Sequence, residues 1–145
     1  MNLEITEPQG DMETETAKKR TVCIIDDEAD LREIYGTGFK REGFVVLTAE
    51  NGEEGLAVIR REHPDAIILD LQMPVMDGFA VLKALKADPV LSDIPVVILS
   101  NVDDEKTFHE AEGSQSCYYL LKVLTTPQKA VDIVCEALRE KSEAS

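Results

Sequence analysis

The chain is short of three things: long apolar runs, cysteine pairs and positive charge. No run approaches the roughly 18 apolar residues of a membrane-spanning helix. The opening stretch, MNLEITEPQGDMETETAKKR, lacks the apolar core of a secretory leader. The expected location is therefore cytoplasmic. Cys23, Cys117 and Cys135 are odd in number, far apart and without a CxxC pair. That pattern fits a reducing compartment better than a disulfide framework, and each cysteine reads as a small buried hydrophobe. Lys and Arg total 15 against 29 Asp and Glu, for a net charge of -14. Nucleic acids and anionic membranes are held largely through their phosphates, so neither is an expected partner. Cations and basic protein surfaces are.

What is present suits one compact domain: 145 residues, 43% of them hydrophobic. Residues 1–19 are polar and acidic, with Pro8, Gly10 and no apolar periodicity, and are expected to form a disordered N-terminal tail. The folded unit is expected over 20–142, with 143–145 a short C-terminal tail and no room for a second domain. Thr21–Ile25 is a β-branched, nearly continuous apolar run, which suits a strand covered on both faces. Further strands are expected at Phe44–Thr48, Ala66–Leu69, Pro95–Leu99 and Tyr118–Leu121. Between the first two, Leu31, Ile34, Tyr35 and Phe39 share one helix face. Gly36 and Gly38 weaken that helix by about 1 kcal/mol each relative to Ala, and Gly43 ends it. Asn51–Gly52 opens a second helix with Leu56 and Ile59 inward, broken at His63–Pro64–Asp65. Phe79, Leu82 and Leu85 mark a third, stopped by Asp88–Pro89. Residues 101–112 are very polar, and a fourth helix is expected there on little apolar support. Thr126 caps a last helix with Pro127 at its first position and Val131, Val134, Cys135 and Leu138 inward. Five strands alternating with five helices predict an α/β doubly wound fold, its strands parallel and its crossovers right-handed.

Polar residues follow the strand runs: Asp26 and Asp27 the first, Asp70 the third, Ser100 the fourth and Lys122 the fifth. In an open α/β sheet, ligands sit outside the carboxyl ends of the strands where the strand order reverses. If the order is 2-1-3-4-5, Asp26, Asp27 and Asp70 meet in one crevice. Three converging carboxylates need protons or a cation. Hard oxygen ligands with little cage suit Mg²⁺, with Mn²⁺ as its alternative. Phosphoryl transfer needs an in-line nucleophile and neutralised equatorial oxygens. Carboxylates form acyl phosphates, so Asp70 is the candidate nucleophile, with Lys122 and Ser100 supplying charge and a hydroxyl donor. Singly, each residue has a plainer reading. An Asp after a strand is usually a helix N-cap, and a Lys or Ser at a strand end is usually solvated. Their joint occurrence at the ends of four strands is what points to a site.

From Arg20 to about Glu140 the chain resembles a two-component response-regulator receiver domain of the stand-alone, chemotaxis-regulator kind. The resemblance rests on ILDLQMPVMDGF at 68–79, IIDDEADLR at 24–32 and YLLK at 119–122. It implies a flavodoxin-like (βα)5 fold with a five-stranded parallel sheet in the order 2-1-3-4-5. It implies a signalling domain rather than an enzyme, with Asp70 taking a phosphoryl group from a sensor histidine kinase or a phosphotransfer protein. Asp27 would bind the metal directly and Asp26 largely through water, with Asp70 and the backbone carbonyl of Gln72 completing the set. Ser100 and Lys122 would hold the phosphoryl oxygens, and Ser100 with Tyr119 would form the conformational switch. Pro74 and Gly78 would shape the loop after the phosphoacceptor. Output would come from phosphorylation-dependent protein contact or onward relay, by a shift between two conformations. Met73 and Met76 read as loop packing, and His63 and His109 as solvated residues outside any relay.

The chain departs from that family at several points. The usual proline after the lysine is Val123. A cis bond before a non-proline residue costs about 2.5–4 kcal/mol, so either a rare cis Lys122–Val123 bond or a reshaped loop is expected. After Ser100 the usual small residue is Asn101, whose side chain is expected to shield the phosphoryl group from water and slow hydrolysis. Gln115 and Ser116 stand where the family often has Gly-Ala, with Gly113 displaced. The surface of the fourth helix and fifth strand is therefore expected to suit an unusual partner. Two other readings remain at this point. One is a pseudo-receiver that binds partners without phosphorylation. The other is a phosphohydrolase of the haloacid dehalogenase type, although that class places a DxD after its first strand and this chain has the adjacent pair Asp26–Asp27.

Overall fold

The structure is a computed structural model that describes residues 19–100 and 117–144. Its sheet has five strands: β1 (Thr21–Ile25), β2 (Val45–Ala49), β3 (Ala66–Asp70), β4 (Val96–Ser100) and β5 (Cys117–Leu121). All pairings are parallel, in the order β2-β1-β3-β4-β5. This is the predicted order, with the reversal between β1 and β3. Four helices are described: α1 (Ala29–Arg41), α2 (Gly52–Glu62), α3 (Gly78–Ala87) and α4 (Pro127–Ala144). The helix expected at 101–112, Asn101, His109, Gly113, Gln115, Ser116 and nearly all of the 1–19 tail lie outside the described residues.

Strand alternation divides the core in two. Cys23, Ile25, Ile67, Leu69, Val96 and Ile98 face α2 and α3, where Leu56, Ile59, Leu82 and Leu85 meet them. Val22, Ile24, Ala66, Ile68, Val97 and Leu99 face α1 and α4, meeting Tyr35, Phe39, Val131 and Val134. β3 and β4 are buried along their whole length, as befits central strands of a parallel sheet covered on both faces.

Two helix faces are rotated from the predicted ones. Ile34 is 49% exposed, and α1 buries Tyr35, Gly36 and Phe39 instead. In α4 the fully covered residues are Ala130, Val131, Val134 and Ala137, while Cys135 and Leu138 lie half-buried beside them. Small residues mark the line of closest approach, which a count of large apolar side chains misses. Of the cysteines only Cys23 is fully buried; Cys117 and Cys135 are half-buried. Burial first, and the charge of Glu54 second, push the Cys23 thiol up to about 12.

The caps follow the sequence. Asn51 accepts from the Glu54 N–H at 2.9 Å, Asp77 from Ala80 at 3.0 Å and Thr126 from Lys129 at 3.1 Å. Each satisfies one of the donors that a helix start leaves open. His63 is exposed as expected, and it also ends α2 in the left-handed conformation at φ 47°.

Candidate functional site

The strand register builds the site. Ile25 pairs with Leu69 across β1 and β3, so Asp26 and Asp70 form the next opposed pair at the carboxyl end of the sheet. Both share the parity of Ile24 and Ile68, and so lie toward the α1 and α4 side. The Asp26 N–H reaches Ala49 O at 3.1 Å, which extends the β1–β2 ladder by one rung. Asp26 and Asp70 are 2% and 4% exposed, while Asp27 lies open at the mouth. One oxygen from each of the three carboxylates fits within 4.8 Å of the others.

Lys122 closes the pocket. Its Nζ is 3.0 Å from Oδ2 of Asp26, 3.3 Å from Oδ2 of Asp70 and 4.0 Å from Oε2 of Glu28. The ammonium is buried and ion-paired with the Asp26 and Asp70 carboxylates. Burial alone would lower the Lys122 pKa; Asp26 and Asp70 outweigh it and hold the pKa above its ordinary value. Asp70 moves the opposite way to a simple ion-paired carboxylate. Burial first, then the charge of Asp26, push it up from 3.8 to about 6, against the pull of Lys122 and the Gln72 N–H. That N–H lies 3.4 Å from Asp70 Oδ1.

Three carboxylates against one ammonium leave an excess of two negative charges. An all-oxygen donor set with that excess fits one hard divalent cation. The residues present therefore suit Mg²⁺.

Ser100, the last residue of β4, is buried. Tyr119 is half-buried and packs on the α2–α3 side of the core, the side that the parity of Ser100 also faces. The loop after Asp70 depends on Gly78, whose N–H donates to Leu71 O at 2.9 Å. A Cβ there would strike the Asp70 carbonyl oxygen and lie 2.7 Å from Leu71 Cα. In the same loop, Val75 has φ 70° and the Met76 N–H donates to Pro74 O at 2.7 Å. This is a γ-turn of the strained hand. Met73 and Met76 pack partly against the core, as expected.

No cis peptide bond occurs among the described residues. Of the two expectations for Lys122–Val123, the reshaped loop is the one realised. Residues Lys122–Leu124 form a 3-10 turn directly after β5, and Lys122 still points inward.

Sequence reasoning missed two supports of the acid pair. Asp26 Oδ1 accepts the Glu28 N–H at 2.9 Å, and its carbonyl accepts Arg32 Nη1 at 2.7 Å. Arg32 lies one turn into α1, where a basic residue reads only as a solvated helix face.

A family model described as the response regulator receiver domain matches residues 22–134. The transcriptional regulatory protein PrrA of Mycobacterium tuberculosis is 39% identical over 104 residues, 70% of this chain and 42% of that one. The probable transcriptional regulator ycf27 of Guillardia theta is 40% identical over 94 residues, 65% of this chain and 35% of that one. The chain thus spans less than half the length of these curated relatives. Among solved structures, a putative response regulator from Chloroflexus aurantiacus superposes with a TM-score of 0.76 at 29% identity, covering 84% of this chain and 99% of that one. The chemotaxis response regulator CheY4 of Vibrio cholerae gives 0.74 at 25% identity, covering 83% and 99%.

Proposed function

The chain belongs to the response regulator receiver domain family, and from that premise we propose that it accepts a phosphoryl group on Asp70. The donor is a phosphohistidine of a sensor kinase or a phosphotransfer protein. A carboxylate oxygen of Asp70 attacks phosphorus, a P–O bond forms, and the P–N bond to the donor breaks. The departing imidazole keeps the electron pair. The observation that carries this reading is the buried Lys122 ammonium, 3.3 Å from Asp70 Oδ2, beside the Asp26, Asp27 and Asp70 carboxylates.

Asp26, Asp27, Asp70 and the Gln72 carbonyl are the residues that would hold Mg²⁺. The ion would neutralise charge on the transferred group. Ser100 is the hydroxyl that would bind a phosphoryl oxygen, and Tyr119 the ring that would follow it. Output is a change in protein contact, or relay of the phosphoryl group onward, by differential binding to two conformations. The acidic chain and its pocket give no support to nucleic acid as a ligand of this unit.

The pseudo-receiver reading drew its support from Val123 and Asn101. Asn101 lies outside the described residues; the turn at Val123 leaves Lys122 aimed into the pocket, which favours the phosphoacceptor reading. Acetyl phosphate supplies the test. The chain, incubated with Mg²⁺ and this small donor, is expected to gain the mass of one phosphoryl group, and a chelator to prevent the gain. No gain under either condition would return the pseudo-receiver reading to the front.

A further inference from the structure

Lys122 needs a rigid base. Its side chain carries four rotatable bonds and substantial rotamer entropy, and it sits at the first residue of a turn whose next two residues are exposed. Val123 is 77% and Leu124 71% exposed, so neither is packed in place. The proline that the family's pattern puts after the lysine, and its fixed φ, are absent. Something else must fix the backbone from which Lys122 projects.

Two residues meet that need. Thr125 closes the turn from within: its N–H reaches Lys122 O at 3.2 Å, and its Oγ1 donates to Leu121 O at 2.7 Å. Tyr35 holds the turn from outside. Its ring is 4% exposed in the α1–α4 core, and its hydroxyl donates to Thr125 O at 3.2 Å, across 90 positions of chain. A buried phenol needs a partner, and here the partner is the turn that starts at Lys122. The Tyr35 hydroxyl also lies within the electrostatic reach of Lys122 and Asp26.

Gly38 sets the approach. A Cβ at this position would lie 3.2 Å from Pro127 Cβ and 3.7 Å from Val131 Cγ2. Its absence lets α1 settle against the first turn of α4, next to Thr125. The glycine that weakens α1 as an isolated helix thereby brings Tyr35 within reach of the turn.

We propose that Tyr35 is a positioning residue for phosphoryl transfer, which acts through the Tyr35–Thr125 hydrogen bond to hold Lys122 against Asp70 in place of the missing proline. This rests on the reading of Asp70 as phosphoacceptor. It makes no claim on a metal, whose carboxylates would stand at the carboxyl ends of β1 and β3. Loss of the bond should therefore slow transfer and spare metal binding, a split that general destabilisation would not produce.

The test compares the native chain with Tyr35→Phe, which keeps the ring and loses the bond to Thr125 O, and with Thr125→Val, which keeps the shape and that backbone acceptor but loses the Oγ1–Leu121 O bond closing the same turn. Labelling by acetyl phosphate is followed by intact mass at saturating Mg²⁺, Mg²⁺ affinity by titration calorimetry, and folding by thermal melting. Tyr35→Phe and Thr125→Val are each expected to label about fivefold more slowly, the scale of one ordinary hydrogen bond, with Mg²⁺ affinity within about twofold of native. Native-rate labelling in Tyr35→Phe would overturn the proposal. So would a loss of Mg²⁺ affinity and melting temperature in step with the loss of rate. A native chain that takes no label would remove the Asp70 reading and this inference together, whereas a native chain that labels and a Tyr35→Phe chain that matches it would remove this inference alone.

Discussion

The Nζ of Lys122 lies 3.3 Å from Oδ2 of Asp70, and both side chains are buried at 7% and 4% exposure. The pair links the carboxyl ends of β3 and β5, which are not neighbours in the sheet. Burial first, and the charge of Asp26 second, push the Asp70 pKa up against the pull of Lys122, an ammonium that Asp26 shares. A divalent cation beside these carboxylates would oppose that rise.

The pH dependence of metal-free stability follows from that. The folded pKa of Asp70, about 6, lies above its ordinary 3.8. A carboxyl raised in this way supports the fold fully below about pH 4 and loses that support as pH rises through about 6. Each unit is worth about 1.4 kcal/mol, so the loss is about 2–3 kcal/mol. In chelator, urea unfolding of Asp70→Asn minus that of the native chain should grow in favour of the variant by this amount between pH 4 and 7. A difference that stays flat would contradict the assigned shift.

Lys122→Ala removes the ammonium that, among the described residues, faces Asp26 and Asp70. Breaking a buried ion pair from one side costs about 3 kcal/mol, and loss of a positioned charge in phosphoryl transfer costs on the order of a hundredfold in rate. Melting in chelator should drop, Mg²⁺ should restore much of the loss, and labelling should stay slow even when Mg²⁺ is saturating. Full recovery of labelling by Mg²⁺ would remove Lys122 from the transfer step.

Val75 holds a left-handed conformation that a β-branched residue tolerates poorly. Val75→Gly should stabilise the fold by about 0.5–1 kcal/mol, part of the relief being offset by the freer unfolded chain. Denaturant midpoints decide it, and a destabilised variant would mean that the γ-turn is held by the side chain.

Gly78→Ala introduces a methyl against the Asp70 carbonyl and Leu71. Overpacking of this kind costs about 1–3 kcal/mol. The strain falls on the peptide that follows Asp70, so labelling should slow as well. Unchanged melting and labelling would show that the loop yields freely.

The sheet was legible because each strand is a continuous apolar run and its ends are polar. The polar residues at the ends of β1, β3 and β5 could be read from the runs themselves, and the structure brings Asp26, Asp27, Asp70 and Lys122 together; the strand order was implied by the family resemblance. What escaped was set by close approach. Ile34 reads as core by spacing, yet α1 turns Gly36 inward so that the helix lies flat on Val46. Ala130 and Ala137 are fully covered, while Cys135 and Leu138 pack only partly against the same core. Arg32 and Tyr35 act on backbone carbonyls, Asp26 O and Thr125 O. A carbonyl leaves no mark on residue identity, so no sequence pattern announces these bonds. Val123 announced a changed loop, and the 3-10 turn is the form it takes.

The central claim is that Asp70 is the phosphoacceptor. Phosphorylate the native chain and Asp70→Asn with acetyl phosphate and Mg²⁺, treat each with hydroxylamine, and map the derivative by peptide fragmentation. A hydroxylamine-sensitive adduct at Asp70, absent from Asp70→Asn, is the predicted result; an adduct of the same yield in the variant, or one mapped to another residue, would contradict it.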